Sequence, residues 1–222
     1  ADSPALNESR AEFLKRTGLE DRPIIALLAG SRKGEISTMM PVFADFVKKM
    51  RQIPQYRDWL FIVAGAPSRD ISDYSPYMDS ADKDFIVLFG ETRSIIRHAE
   101  AAVVNSGTAS LETVLLDTPQ VVGYISNRLS YMIAKKIIRV RYISLGNLIL
   151  DRLAFRELIQ DDCNVSNIMN EVRRLIEDSE YRSAMLSEYA LIRKALGGKG
   201  ASEAVASDMV QELERSLISP RR

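Results

Sequence analysis

The chain has 222 residues, 46% hydrophobic and 27% charged, which are ordinary globular proportions and enough for one large domain. Thirty Lys and Arg balance thirty Asp and Glu, so nothing points to bulk nucleic-acid binding, and no apolar run has the length of a membrane span. One cysteine, Cys163, and one histidine, His98, argue against a disulfide framework and a structural zinc site; a lone cysteine and no secretory signal pattern fit a reducing compartment.

Asp2 to Thr17 reads as a helix entered through Ser3-Pro4, with proline at a first-turn position. Such a start, directly before a buried strand, suggests a piece of a longer protein. Ile24 to Ala29 is the first apolar run and reads as a strand. Gly30 to Gly34 is a loop, and Glu35 to Arg51 spaces Ile36, Met39, Met40, Phe43, Phe46 and Val47 along one helix face. Trp59–Ala64 and Phe85–Phe89 read as the second and third strands, the latter closed by Gly90. Thr92 to His98 is a short helix; His98 at its end is expected as a cation near a helix C-terminus rather than a catalytic group. Ala101–Val104 is a fourth strand, followed by a helix over Gly107–Leu116. Gln120–Tyr124 is a fifth strand, Leu129–Ile138 a helix and Tyr142–Leu145 a short sixth strand. Three more helices are expected over Asn164–Asp178, Tyr181–Leu196 and Ser202–Leu217. Gly197-Gly198-Lys199-Gly200 lacks a preceding strand, so it reads as a hinge rather than a phosphate loop.

Continuous rather than alternating apolar strands, joined by helices, predict a parallel sheet covered on both faces. The fold class is therefore α/β: a doubly wound parallel sheet, Rossmann-like, with a C-terminal helical extension. Residues 1–150 form the sheet domain, and residues 151–222 add helices that pack on it or cross from it. Ligands of such folds bind at the carboxyl ends of the strands. Gly30-Ser31-Arg32, Gly90 and Ser106-Gly107-Thr108 all fall on that rim.

The stretch from Asn105 to Glu112 turns from a strand into a helix through small hydroxylated residues. A helix start of this kind can hold an anion on its free N–H groups, and Glu112 one turn on suits ribose hydroxyls. A plain N-cap by Ser106 or Thr108 accounts for the same residues equally well. Arg32 offers a planar fork of donors to a phosphate. Neither a Walker loop nor the dinucleotide fingerprint is present. Asn147 and Gln160 are two-way hydrogen bonders that suit sugar hydroxyls, although a buried amide satisfied by backbone is the usual case.

Three of these segments together resemble lipid-A-disaccharide synthases, bacterial glycosyltransferases of GT-B architecture. The family's Leu-Leu-Pro-Gly-Ser-Arg, two residues, then Glu-Ile is similar to Leu27–Ile36. Its Ser-Gly-Thr-Ala-Thr/Ser-Leu-Glu is similar to Ser106–Glu112, and its Pro-x-Val-Val-x-Tyr to Pro119–Tyr124. Its Ser-Leu-Pro-Asn-Leu resembles Ser144–Leu148, and its Glu-Leu-Leu-Gln resembles Glu157–Gln160. The likeness runs from about Ile24 to the end of the chain. Ala29 and Gly146 stand where the family commonly has proline.

The resemblance implies the Rossmann-like, nucleotide-gripping half of a GT-B enzyme, without the N-terminal acceptor domain and its general base. The family transfers 2,3-diacylglucosamine from its UDP carrier to lipid X (2,3-diacylglucosamine 1-phosphate), with inversion and no metal or other cofactor. The implied donor-binding residues are Gly30, Ser31, Arg32, Gly90, Ser106, Gly107, Thr108, Ser110, Glu112, Asn147 and Gln160. No catalytic residue is expected in this chain, which should bind UDP without turnover. It also implies a peripheral place on the inner, cytoplasmic face of the bacterial membrane. Arg128, Lys135, Lys136, Arg139 and Arg141 form a basic, partly apolar strip suited to an anionic lipid surface. A surface helix with snorkelling lysines explains that strip as well. Other readings remain open: the nucleotide half of another GT-B transferase or epimerase, a stand-alone flavodoxin-like module, or an interaction domain. In the last case the helices over Tyr181–Leu217 would swap or cross between chains in a homo-oligomer.

Overall fold

The computed structural model describes residues 8–125 and 141–197. The expected helix over Leu129–Ile138, the last helix over Ser202–Leu217, most of the Gly-Gly-Lys-Gly hinge and Arg128, Lys135, Lys136 and Arg139 lie outside the described residues. Within them, six strands form one parallel sheet: β1 (Ile24–Leu28), β2 (Leu60–Gly65), β3 (Phe85–Phe89), β4 (Ala101–Asn105), β5 (Gln120–Tyr124) and β6 (Glu157–Ile159). Their order is β3-β2-β1-β4-β5-β6. This is the doubly wound, Rossmann-like arrangement expected from the sequence. Every residue of β1, β2 and β4 is buried, which is why these strands are apolar throughout rather than alternating.

Among the described residues seven α-helices accompany the sheet: α1 (Arg10–Thr17), α2 (Lys33–Met50), α3 (Thr92–His98), α4 (Thr108–Leu115), α5 (Leu145–Leu150), α6 (Val165–Glu177) and α7 (Ser179–Ala195). The apolar face read for α2 is the buried one: Ile36, Met39, Met40, Phe43, Phe46 and Val47 all join the core. α6 packs on α2, β4 and β5 through Ile168, Val172 and Leu175, and α7 packs on α4, α5 and α6. Asn164 and Asp178 cap α6 and α7 with their side chains, as their positions suggested.

Two elements differ from expectation. α1 starts at Arg10, where Ser9 and Glu12 form a reciprocal capping box; the earlier part of the expected helix, Asp2 to Asn7, lies outside the described residues. Tyr142–Leu145 is not a strand. Its N–H groups are taken by a side chain: Glu157 accepts from the backbone N–H of Ile143 at 3.0 Å and of Ser144 at 2.9 Å. With no ladder to join, the chain enters α5 at Leu145, and β6 comes instead from Glu157–Ile159.

Candidate functional site

Strand order reverses between β1 and β4. At such a switch point the loops leaving two neighbouring strands diverge and open a crevice. Here that crevice is a cleft of about 1530 Å³ along the carboxyl ends of β1, β2, β3 and β4. Gly30, Ser31, Arg32, Gly90, Ser106, Gly107, Thr108 and Glu112 all line it. Segments as far apart as residues 30 and 112 therefore meet in one place.

Three expected residues do not line it. Ser110 is fully buried; its hydroxyl donates to the Gly107 carbonyl at 2.8 Å, and its own carbonyl accepts from Gln120 Nε2 at 2.9 Å. Asn147 is fully buried too. Its Nδ2 donates to the Phe155 carbonyl and to Glu157 Oε1, both at 2.9 Å, and its Oδ1 accepts from the N–H of Ala154 at 2.8 Å and Phe155 at 3.2 Å. That amide holds the loop after α5 and does not line the cleft. Gln160 ends β6 at the sheet edge, two strands from β4, with φ of +54°.

The start of α4 borders the cleft. Its N-cap is Gly107, and no side chain caps it. Ser106, the capping candidate, instead sends its hydroxyl toward the Ile143 carbonyl at 3.4 Å and its N–H to Gly123. The first N–H groups of α4 consequently face the cleft from Thr108 and Ala109, which line it. A polar ligand that accepts hydrogen bonds, above all an anion, is what such a group of donors suits.

The β1–α2 loop is built differently. Gly30 takes φ of +100°, a left-handed conformation only glycine adopts easily. The turn brings Ser31 N–H and Arg32 N–H onto Glu35 Oε2 at 2.9 and 3.1 Å, and Arg32 Nη1 onto Glu35 Oε1 at 2.9 Å. This helix start already holds a carboxylate.

Charged side chains that sequence reasoning missed make up another wall. Glu8, Glu12, Lys15 and Arg16, from α1 and the residues before it, line the cleft with Glu91 and Arg93. Arg16 bridges Glu8 and Glu91, and Ser94 Oγ donates to Glu8 at 2.9 Å. The Arg16 guanidinium holds the Glu8 carboxyl below its usual range, and Glu91, then Glu8, raise the Arg16 pKa. Arg93 reaches Glu112 Oε1 at 3.3 Å. The capping box at Ser9–Glu12 was a readable signal for where α1 begins. Nothing local signals that α1 docks beside α3, with Phe13 on His98.

His98 lies outside the cleft. It stacks on Phe13 at 5.2 Å between ring centres, and its Nε2 is buried with no partner among the described residues. Burial, then Arg10 and Arg97, hold its pKa below the ordinary histidine value. Its place in the fold is packing against Phe13 of α1, away from the cleft.

Comparison with known proteins adds three findings. The family model for lipid-A-disaccharide synthetase matches residues 4–208. The chain is 30% identical over 218 residues to the lipid-A-disaccharide synthase of Geobacter sulfurreducens, covering 98% of this chain and 56% of that protein. It is 36% identical over 200 residues to that of Syntrophus aciditrophicus, covering 89% and 52%. It thus spans about half the length of the curated relatives it matches. Among solved structures it is similar to an S. aureus MnaA–UDP co-structure, with a TM-score of 0.58, 16% identity, and 96% of this chain and 51% of that one covered.

Proposed function

The chain belongs to the lipid-A-disaccharide synthase family, and from that premise we propose that it is the donor-binding half of the transferase. The donor is UDP-2,3-diacylglucosamine. The acceptor is lipid X, held mainly by protein outside this chain, and the products are the β-1,6-linked disaccharide 1-phosphate and UDP. The observation that carries this reading is the uncapped start of α4 at the switch point of a parallel sheet. A neighbour of this fold solved with UDP is compatible with it.

In sugar transfer with inversion, an acceptor oxygen attacks the anomeric carbon while the bond to the diphosphate breaks. Negative charge then grows on the departing UDP. Donors fixed in advance stabilise that charge without rearranging as it forms. The N–H groups at Gly107, Thr108 and Ala109, beside Ser106, supply such donors, and Arg32 adds a guanidinium. Glu112, one turn into α4, accepts from the ribose hydroxyls, with Arg93 holding its carboxylate in place. Gly90, at φ of +77° with open space around it, keeps the β3–α3 turn clear for the nucleoside. The base that deprotonates the acceptor hydroxyl is not among these residues.

Calorimetry with UDP tests the site. We expect saturable binding, weakened about tenfold by Arg32→Ala and similarly by Glu112→Ala, as loss of a charge-assisted hydrogen bond predicts. A folded chain that ignores UDP, or variants that bind it as the parent does, would sink the assignment. Among the described residues no helix is long and apolar enough to cross a membrane. We place the protein at the inner membrane face on its acylated substrates and the basic residues around 128–141. Co-sedimentation with vesicles should rise with anionic lipid content.

A further inference from the structure

Two helix starts meet in the cleft, and they are not alike. The start of α4 is bare, whereas the loop entering α2 has its Ser31 and Arg32 N–H groups on Glu35, the third residue of that helix. The Glu35 carboxylate accepts from two backbone N–H groups and from Arg32, so it occupies the donors that a phosphate would use. It is 27% exposed and belongs to the cleft wall. The fit is close: a Cβ on Gly30 would collide with Glu35 and stand 2.8 Å from Asn105 Nδ2. β1 and β4 pair directly, Leu28 beside Val104, and neighbouring strands lie about 4.8 Å apart. The β1–α2 and β4–α4 loops therefore leave neighbouring strands and line one cleft.

We propose that Glu35 is a specificity-determining residue for the donor: a tethered carboxylate that holds the β1–α2 donors until a diphosphate displaces it. The proposal rests on the donor reading above. With the ribose on Glu112 and the first phosphate at the start of α4, the second phosphate is the group that extends to Arg32. A carboxylate tied to the same loop competes at high effective concentration. A monophosphate engages α4 alone and leaves Glu35 seated. A diphosphate exchanges Arg32 from Glu35 to itself, and that exchange subtracts from its affinity. Glu35 thereby sets how strongly the site prefers a nucleoside diphosphate over a monophosphate.

The test is calorimetry with UDP and with UMP on the parent chain, Glu35→Gln, Arg32→Ala and the double variant, each checked by its melting curve. Glutamine keeps the length and a hydrogen-bond acceptor but removes the charge. Glu35→Gln should tighten UDP about fivefold, the scale of one partly exposed ion pair. UMP should stay within about twofold, and the UDP gain should vanish in the Arg32→Ala background. Amide NMR on the parent chain provides a reading that needs no variant: UDP should move the Ser31 and Arg32 resonances and UMP should not. UDP affinity that falls or stays level in Glu35→Gln overturns the proposal. So does an equal gain for UMP, or Ser31 and Arg32 resonances that stand still at UDP saturation. If UMP binds and only the UDP effects fail, the donor site stands without this role for Glu35. If neither nucleotide binds any of the four proteins, the donor reading falls and this proposal with it.

Discussion

Asn147 and Gly30 mark the range of what single residues disclose. Asn147 sits among apolar residues in the sequence, which suits a sugar contact as well as a buried amide. Its partners, the Phe155 carbonyl and the Ala154 and Phe155 N–H groups, are brought in by a turn that has no signature of its own. Replacing it with alanine would strand several buried groups at once. Asn147→Ala should lower stability by about 2–4 kcal/mol. UDP affinity measured below the melting point should not change; a selective loss of UDP binding in a protein of unchanged stability would restore a ligand role. Gly30 was legible as a rim-loop residue; that Glu35 packs against it was not. Gly30→Ala should cost about 1–3 kcal/mol through its φ of +100° and the lost Glu35 seat, read as a lower melting temperature. An unchanged melting temperature would show that the loop has another route through this turn.

The strands and most helices were readable because each carries its own period. Ile24–Leu28 and Ala101–Asn105 are buried on both faces and read as unbroken apolar runs; the six-position face of α2 repeats at helical spacing. Tyr142–Leu145 misled for the opposite reason, since a carboxylate twelve or more residues later replaces the ladder that its composition suggests. α1 shows a second limit. Its boundaries were written in Ser9 and Glu12, but its position depends on long-range bonds, Arg10 to the His98 carbonyl at 2.7 Å and to the Arg22 carbonyl at 2.6 Å. His98 lies under that helix, so α1 docking should respond to pH. The folded state holds the His98 pKa below its unfolded value near 6.5, through burial and through Arg10 and Arg97, while the Glu8 side opposes the shift. The unfolded chain therefore takes up the proton first, and stability falls as pH drops below about 6.5 until the folded pKa is passed. His98→Gln should flatten the melting temperature between about pH 7.5 and 5.5 relative to the parent. Identical slopes in the two proteins would remove His98 as the cause.

At the scale of the molecule, the parallel sheet and the rim of the cleft followed from strand character and from where the glycine-bearing loops fall. The charged wall beside the rim did not, because side chains more than seventy residues apart, such as Arg16 and Glu91, come together only after the sheet has formed. The chain spans about half the length of its curated relatives, and the proposed function assigns no acceptor base to it. We expect no disaccharide when this chain alone is given UDP-2,3-diacylglucosamine and lipid X; measurable product from it would place a general base within these residues. The described lining also has a kinetic consequence. Lys15, Arg16, Arg32 and Arg93 face Glu8, Glu12, Glu35, Glu91 and Glu112, so an incoming nucleotide meets more carboxylates than cations before it reaches the helix start. Mobile ions weaken long-range forces first, with a screening length that shrinks from about 30 Å at ~10 mM salt to about 8 Å at ~150 mM. Added salt should therefore speed the encounter with UDP rather than slow it, the reverse of a site that draws its ligand in by bulk attraction. Stopped-flow association at rising ionic strength reads that sign directly.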